Sequence, residues 1–434
     1  MAKLEIGAAK VDVTPPVGVD LTGFGARPGP SKGIHKPLFA RVLVLKADDK
    51  KAAVVGTDVL GFGVDSVRRI REGVEKRTGI PGSRVMVTAT HTHSGPATIF
   101  LRRCGEICPE YLRSLEMKVV GAIEMAEQNL REAVWGSEKG EVPVCLNRRH
   151  HSFRAGDDPR SDRVGVVDRA CNVLRFDTTA GEPIGSIINY ACHAVALGAY
   201  NLSISPDYPG EASCTVEREL GGVALFLNGA CGNINPIMMG TDPRLAERIG
   251  RAVGGEALKC LELARLSPEA ELVVKSRTIR LPLQPYPPIE ELAAERRKNE
   301  DELRALRADA PFWERNLKLS TIQWASELAQ ALQTGTAPSY VEAEIQLLSL
   351  GKACLVATPG EVFVEIGMQI KALDPSRHIF VVGYANGCLG YISTDQAIDE
   401  GGYEPDAAAR WYAFAPLAKG AEHLVVSAAK ELLA

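Results

Sequence analysis

Short apolar runs, each ending in a turn or leading into a helix-like stretch, recur along the first two-thirds of this 434-residue chain. That alternation confines it to an α/β architecture. ARVLVLKADDKKAAVVGTDVLGF predicts a hairpin turned at Asp48-Asp49-Lys50. DSVRRIREGVEKRTG predicts a helix stopped by Gly79 and Pro81. A strand over 85–90, a helix from Tyr111 to about Leu130 and two strands turned at Ala180-Gly181 follow. GVALFLNGACGN reads as a buried strand running into a glycine-rich loop, and Arg244 to Arg265 is helical. The expected fold is a set of mixed β-sheets flanked by helices.

From Ile289 to about Leu332 the composition changes to a charged, Ala- and Leu-rich stretch. It predicts two antiparallel helices broken near Pro311, a solvated hairpin inserted over about 288–334. Strands resume in AEIQLLSLGKACLVATPGE, with a hairpin at Gly351-Lys352. In HIFVVGYANGCLGYIS, Asn386-Gly387 has the chemistry of a type I′ hairpin turn. A terminal helix closes the chain. One domain over 1–434, carrying one helical insertion, is the simplest organisation.

Composition narrows the function classes. Hydrophobic residues at 45% and charged residues at 24% are those of an ordinary soluble globular protein. A net charge of −4 gives no reason to expect nucleic acid or an anionic membrane as partner. MAKLEIGAAKVDVTPPVG lacks the apolar core of about 7–15 residues that marks a signal peptide. No stretch reaches the roughly 18 apolar residues of a transmembrane helix. The ten cysteines form no Cys-x-x-Cys pair, and several lie in apolar runs. Most are expected to be reduced core residues of a cytoplasmic protein.

Only eight histidines are present, and two of them stand together in VTATHTHSGPAT. Side chains two apart on a strand share a face, so His91 and His93 converge at the end of strand 85–90. The pair suits a metal ligand beside an acid/base, or two ligands. His193 ends a second apolar strand, SIINYACH, and Asp207 in the following SPDYPG either orients a histidine or caps a helix starting near Gly210. Glu361 ends a third. Thr358 three residues before it makes a capping box, with Pro359 at the first helical position. Two histidines and a glutamate at strand ends also make the His₂Glu set of catalytic zinc sites. NGACGNINP lacks the Lys-Ser/Thr of a phosphate loop and reads as a tight turn lining a pocket.

Taken in order, AKVDVTPPVGVDLTGFG, THTHSGP, NYACH, SPDYPG, GACGNINP, TPGE and GYANGCLGYISTDQAIDEGGYE resemble the neutral/alkaline (non-lysosomal) ceramidase family over nearly the whole chain, the helical insertion excepted. The resemblance implies that His91, His193 and Glu361 are zinc ligands and that Tyr391 completes the site. It makes His93 the acid/base or oxyanion partner, Tyr403 the catalytic tyrosine and Arg148, next to Arg149, the active-site arginine. It also implies the fold of that family's catalytic domain. The sequence departs from the pattern at Gly232-Asn233, where the family usually has Gly-Asp, and at Ala397-Ile398, where an acidic-Tyr pair is usual. No C-terminal β-sandwich domain is expected.

The expected protein is therefore a hydrolase with one Zn²⁺ per chain, cleaving a C–N amide bond with metal-activated water. Its substrate is a small-molecule or lipid-like amide, either ceramide or a small polar compound in its place. The alternatives are a hydrolase of a small lactone or cyclic keto-sugar on the same metal site, and a non-catalytic metal- or ligand-binding homologue. Homo-oligomerisation is compatible with the sequence.

Overall fold

The computed structural model describes residues 3–412 and 415–434. Its largest sheet has eight strands in the order Val223–Asn228, Pro183–Tyr190, Ala170–Thr178, Arg131–Glu141, Leu4–Asp12, Phe39–Ala47, Lys50–Thr57 and Val85–Ala89. A second sheet runs Leu272–Pro282, Tyr340–Leu350, Ala353–Ala357 and His378–Val382. Leu43, Leu45, Val54 and Leu227 from the first sheet pack against Leu348, Leu355 and Phe380 from the second in one buried cluster. Helices Val64–Thr78, Pro109–Gln128, Asp207–Glu219 and Pro243–Leu263 cover the outer face of the first sheet. Val364–Lys371 and Ala421–Leu433 cover the second. The central strands of both sheets bury both faces and are apolar throughout, whereas Arg131–Glu141 and Leu272–Pro282 are polar and partly exposed.

Both sheets are mixed. Most neighbours are antiparallel, but Lys50–Thr57 runs parallel to Val85–Ala89, Pro183–Tyr190 to Val223–Asn228, and Ala353–Ala357 to His378–Val382. The carboxyl ends of these parallel strands meet at one edge of the molecule. Asn228 Nδ2 donates to Thr90 O at 3.1 Å, and Gly383 N donates to Asn228 O at 2.9 Å. Open α/β sheets place their sites at that end.

The hairpins at Asp48-Asp49 and Gly351-Lys352 form in the expected register, Ala47 opposite Lys50 and Leu350 opposite Ala353. Asn386-Gly387 does not turn a hairpin. His378–Val382 and Tyr391–Ile392 each pair, in parallel, with a different strand. Asn386 takes a left-handed conformation (φ 58°) and ties the two sheets together instead. Its Oδ1 accepts from Val87 N at 3.0 Å and its Nδ2 donates to Gln346 Oε1 at 2.9 Å.

The inserted helices are Ile289–Ala305 and Phe312–Gln333. They are docked rather than merely solvated. Asn316 donates to the carbonyls of Gly25 (2.7 Å) and Arg103 (2.9 Å) and accepts from Arg103 Nε (2.9 Å). Buried Arg102 pairs with Glu327 at 2.5 Å. The reason is electrostatic as well as apolar, since these polar partners are scattered along the sequence and only the fold brings them together. The ten cysteines are all unpaired. Among the described residues no helix is long and apolar enough to cross a membrane.

Candidate active site

His91 lies beyond the strand, which ends at Ala89, and has φ 64°. The two histidines therefore converge through a left-handed turn, not through strand alternation. The His91 ring stacks on Tyr384 with centroids 3.9 Å apart. Its Nδ1 donates to Leu60 O at 2.7 Å, which leaves a lone pair on Nε2. His93 Nε2 lies 3.2 Å from that nitrogen. Gly23 (φ 96°) packs against the other side of His93, where a Cβ would come within 2.4 Å of Nδ1. Only glycine satisfies both the dihedral and the space.

His193 is wholly buried, with Nδ1 2.6 Å from Cys231 O and 3.2 Å from Ile234 O. The glycine-rich turn after Asn228 thus supplies the carbonyls that orient this imidazole, which sequence reading assigned only as pocket lining. Asp207 does not touch it. Asp207 starts the helix itself, and its carboxylate accepts from the backbone N–H groups of Ala196 (3.3 Å), Leu197 (2.9 Å) and Tyr208 (2.7 Å). It fixes the loop following His193, and burial pushes its pKa up to about 6.

Glu361 is not in a helix cap. It sits in a two-residue strand paired with Tyr391, and the helix begins only at Val364. The capping box fails because Thr358 Oγ1 donates to Val382 O at 3.1 Å and the chain stays extended. Glu361 Oε2 lies 3.0 Å from His193 Nε2 and 3.5 Å from His91 Nε2. Its Oε1 accepts from the Tyr412 hydroxyl. Gly232 is required beside it, since a Cβ there would meet Glu361 O at 2.3 Å. The neighbouring Asn233 accepts from Val364 N (2.9 Å) and donates to Glu365 (2.9 Å). An aspartate in its place would set two carboxylates against each other, so the Gly-Asn departure is matched by Glu365.

The ligand atoms of His91, His93 and His193 all lie within 4.8 Å of one another. Two of these nitrogens are lone pairs by their hydrogen bonds, and they face a carboxylate with no proton between them. That arrangement is repulsive on its own and favourable around a cation, so the donor set fits a divalent metal. Burial lowers the pKa of His93 well below the ordinary imidazole value and that of His193 to about 4, which keeps both neutral as metal binding requires.

A cavity of about 350 Å³ opens over this cluster. Arg148, Tyr391 and Tyr403 line it together with His91, His93 and Glu361, and Phe24, Leu101 and Trp313 are among its apolar walls. Arg148 donates to Glu404 (2.7 Å), Gly232 O (2.7 Å), the Tyr391 hydroxyl (3.0 Å) and Asn235 Oδ1 (3.4 Å). Four of its five N–H groups are engaged, so it holds Tyr391 and has one donor left for a ligand. Arg149 turns away, to Glu400, Gly401 and Glu404. Tyr391 and Tyr403 face each other at 6.0 Å, but no hydrogen bond among the described residues joins either to the histidines or Glu361.

The family model for neutral/alkaline non-lysosomal ceramidase, N-terminal, matches residues 4–243, more than half of the chain. The chain belongs to this family. That span holds His91, His93, Arg148 and His193. Glu361, Tyr391 and Tyr403 lie beyond it and join the site through the fold. The neutral ceramidase of Drosophila pseudoobscura pseudoobscura is 25% identical over 260 residues, 55% of this chain and 37% of that protein. The neutral ceramidase of Pseudomonas aeruginosa is 27% identical over 462 residues, 92% of this chain and 68% of that protein. This family member thus spans little more than a third of the length of the fly relative. The crystal structure of the Pseudomonas aeruginosa neutral ceramidase superposes with a TM-score of 0.74 at 22% identity, covering 100% of this chain and 75% of that one. A ceramidase complexed with C2 gives 0.76 at 21% identity, covering 100% and 76%. The mixed-sheet fold is the ceramidase fold.

Two residues of the site carried no signal in the sequence. Tyr384 supports His91 from behind, and its hydroxyl lies 3.0 Å from Cys231 Sγ. Tyr412 holds the second oxygen of Glu361. Neither has a spacing relation to the histidines, and an aromatic in an apolar run reads as core.

Proposed function

We propose that this ceramidase-family hydrolase cleaves the C–N bond of an N-acyl amide, with one zinc ion held by His91, His193 and Glu361 and completed by Tyr391. The observation that carries the reading is the meeting of imidazole lone pairs and a carboxylate at the floor of a largely apolar cavity. When bound there, a divalent ion would supply polarisation of a carbonyl oxygen and acidification of water. Everything else falls to the side chains.

Arg148 donates to the Tyr391 oxygen and offsets part of the burial that pushes this phenol's pKa well up, favouring the anionic form a cation would bind. Tyr403, half exposed at the cavity wall, presents a phenol that keeps its proton at neutral pH and donates a hydrogen bond to the oxyanion developing on the carbonyl. His93 faces the cluster through Nε2, 3.2 Å from His91 Nε2, and as a neutral imidazole it would take the proton from attacking water and return it to the leaving amine. Phe24, Leu101, Val195 and Trp313 give the acyl group an apolar wall, which suits a hydrocarbon better than the polar ring of a keto-sugar.

The test is hydrolysis of an N-octanoyl amide by metal-loaded protein, followed as free amine. Turnover is expected, abolished by a chelator and restored by zinc. His93→Ala is expected to keep the metal and lose turnover by about 10²–10⁴-fold. Loss of the metal in that variant would make His93 a ligand, and no release of amine from any N-acyl amide would sink the amidase reading.

A further inference from the structure

Among the described residues three arginines are buried, and two of them have carboxylate partners. Arg41 pairs with Asp58 (3.0 Å) and Glu217 (2.8 Å), and Arg102 pairs with Glu327. Arg27 does not. Only 6% exposed, it donates from Nε to Asn201 O at 3.2 Å and from Nη1 to Thr22 O at 2.9 Å. Its Nη2 is buried with no partner, and among the described residues no carboxylate pairs with it. Burial without a counter-charge lowers its pKa to about 10. A buried cation is costly unless an anion meets it, so the missing partner is a property to explain.

The surroundings say where that partner comes from. Arg27 lines a cavity of about 450 Å³ that shares Phe24, Leu101 and Cys104 with the cavity over the histidines. The Phe24 ring stands between the two, its centroid 4.7 Å from that of His93 and 5.2 Å from the guanidinium carbon of Arg27. Arg103, with Nε on Asn316, adds a second cation to the same chamber. Asp20 and the exposed Glu106 also line it; Asp20 accepts from Glu106 N at 2.9 Å and neither carboxylate reaches Arg27.

We propose that this second chamber is an anion subsite for the substrate, in which Arg27 receives a carboxylate or phosphate carried on the leaving amine. Resting on the amidase reading, it names the substrate class as acidic N-acyl compounds, with the acyl chain against Trp313 and Leu101 and the acid beyond Phe24. The guanidinium fork matches either oxyanion, and its unpartnered Nη2 has a charge-assisted bond still to make.

The test compares N-octanoylglycine, N-octanoyl-O-phosphoethanolamine and neutral N-octanoylethanolamine on metal-loaded protein. One of the acidic pair is expected to exceed the neutral compound about 10- to 100-fold in kcat/KM, and which one identifies the anion. In Arg27→Met the ratio should fall to within about threefold, and in Arg27→Lys to an intermediate value, at unchanged metal content. A wild type with no preference overturns the subsite even where Arg27→Met fails to fold, and so does a preference that survives in a folded Arg27→Met. If no compound is cleaved, calorimetric Kd values for the same three decide separately. An acidic preference lost in Arg27→Met keeps the subsite while the amidase reading falls, and equal Kd values remove both.

Discussion

Tyr403→Phe is expected to lower kcat by about 10²–10⁴-fold while leaving the metal content unchanged. The hydroxyl is the only group removed. Among the described residues it makes no hydrogen bond to the protein, so its loss strands no partner. Tyr403 faces Tyr391 at 6.0 Å and lies 5.9 Å from the Arg148 guanidinium carbon, on the same cavity wall. A donor so placed matters only when charge develops on the substrate, which predicts a change in kcat rather than in KM. Full turnover in a metal-replete Tyr403→Phe protein would remove the tyrosine from the mechanism.

The second large effect concerns the floor of the cavity. Glu361→Gln keeps the shape of the side chain and exchanges an anionic oxygen for an amide. Metal affinity is expected to fall by more than the roughly 10–100-fold typical of losing an outer hydrogen-bond partner. The loss is larger because Oε2 is the atom within 3.5 Å of both His91 and His193 nitrogens. The apo protein should become easier to fold, not harder, since the substitution removes a buried negative charge facing two lone pairs. Titration with zinc, read by calorimetry and by melting temperature with and without metal, separates these two effects. Unchanged affinity would take Glu361 out of the ligand set.

Much of this site was legible because parallel strands in an α/β protein end where ligands bind. His91, His93, His193 and Glu361 each follow an apolar run, and the resemblance to the family placed Tyr391, Tyr403 and Arg148 beside them. What could not be read was how each is aimed. Glu361 carries the sequence signature of a helix cap, yet pairing with Tyr391 keeps it extended, and that pairing is 30 residues away in sequence. His193 is oriented by the carbonyls of Cys231 and Ile234, which have no side-chain signature at all. Asn386-Gly387 shows the limit of turn chemistry. The same left-handed tolerance that makes a hairpin turn also lets Asn386 bridge two sheets. The insertion read as a charged, solvent-facing hairpin because Asn316, Trp313 and Glu327 find their partners only after folding.

The central claim is that the imidazoles and Glu361 assemble one metal site across three separate segments of the chain. The most direct measurement is the metal content of purified wild-type protein beside His193→Ala, with folding checked by circular dichroism. His193 is the choice because it is wholly buried and its Nδ1 is already committed to two carbonyls, leaving Nε2 with nothing but the cluster to serve. About one equivalent of zinc per chain in the wild type, lost in a folded His193→Ala protein, is the predicted result. A folded wild type that takes up no divalent metal when supplied with it, or a His193→Ala variant that binds as tightly as wild type, would contradict the site.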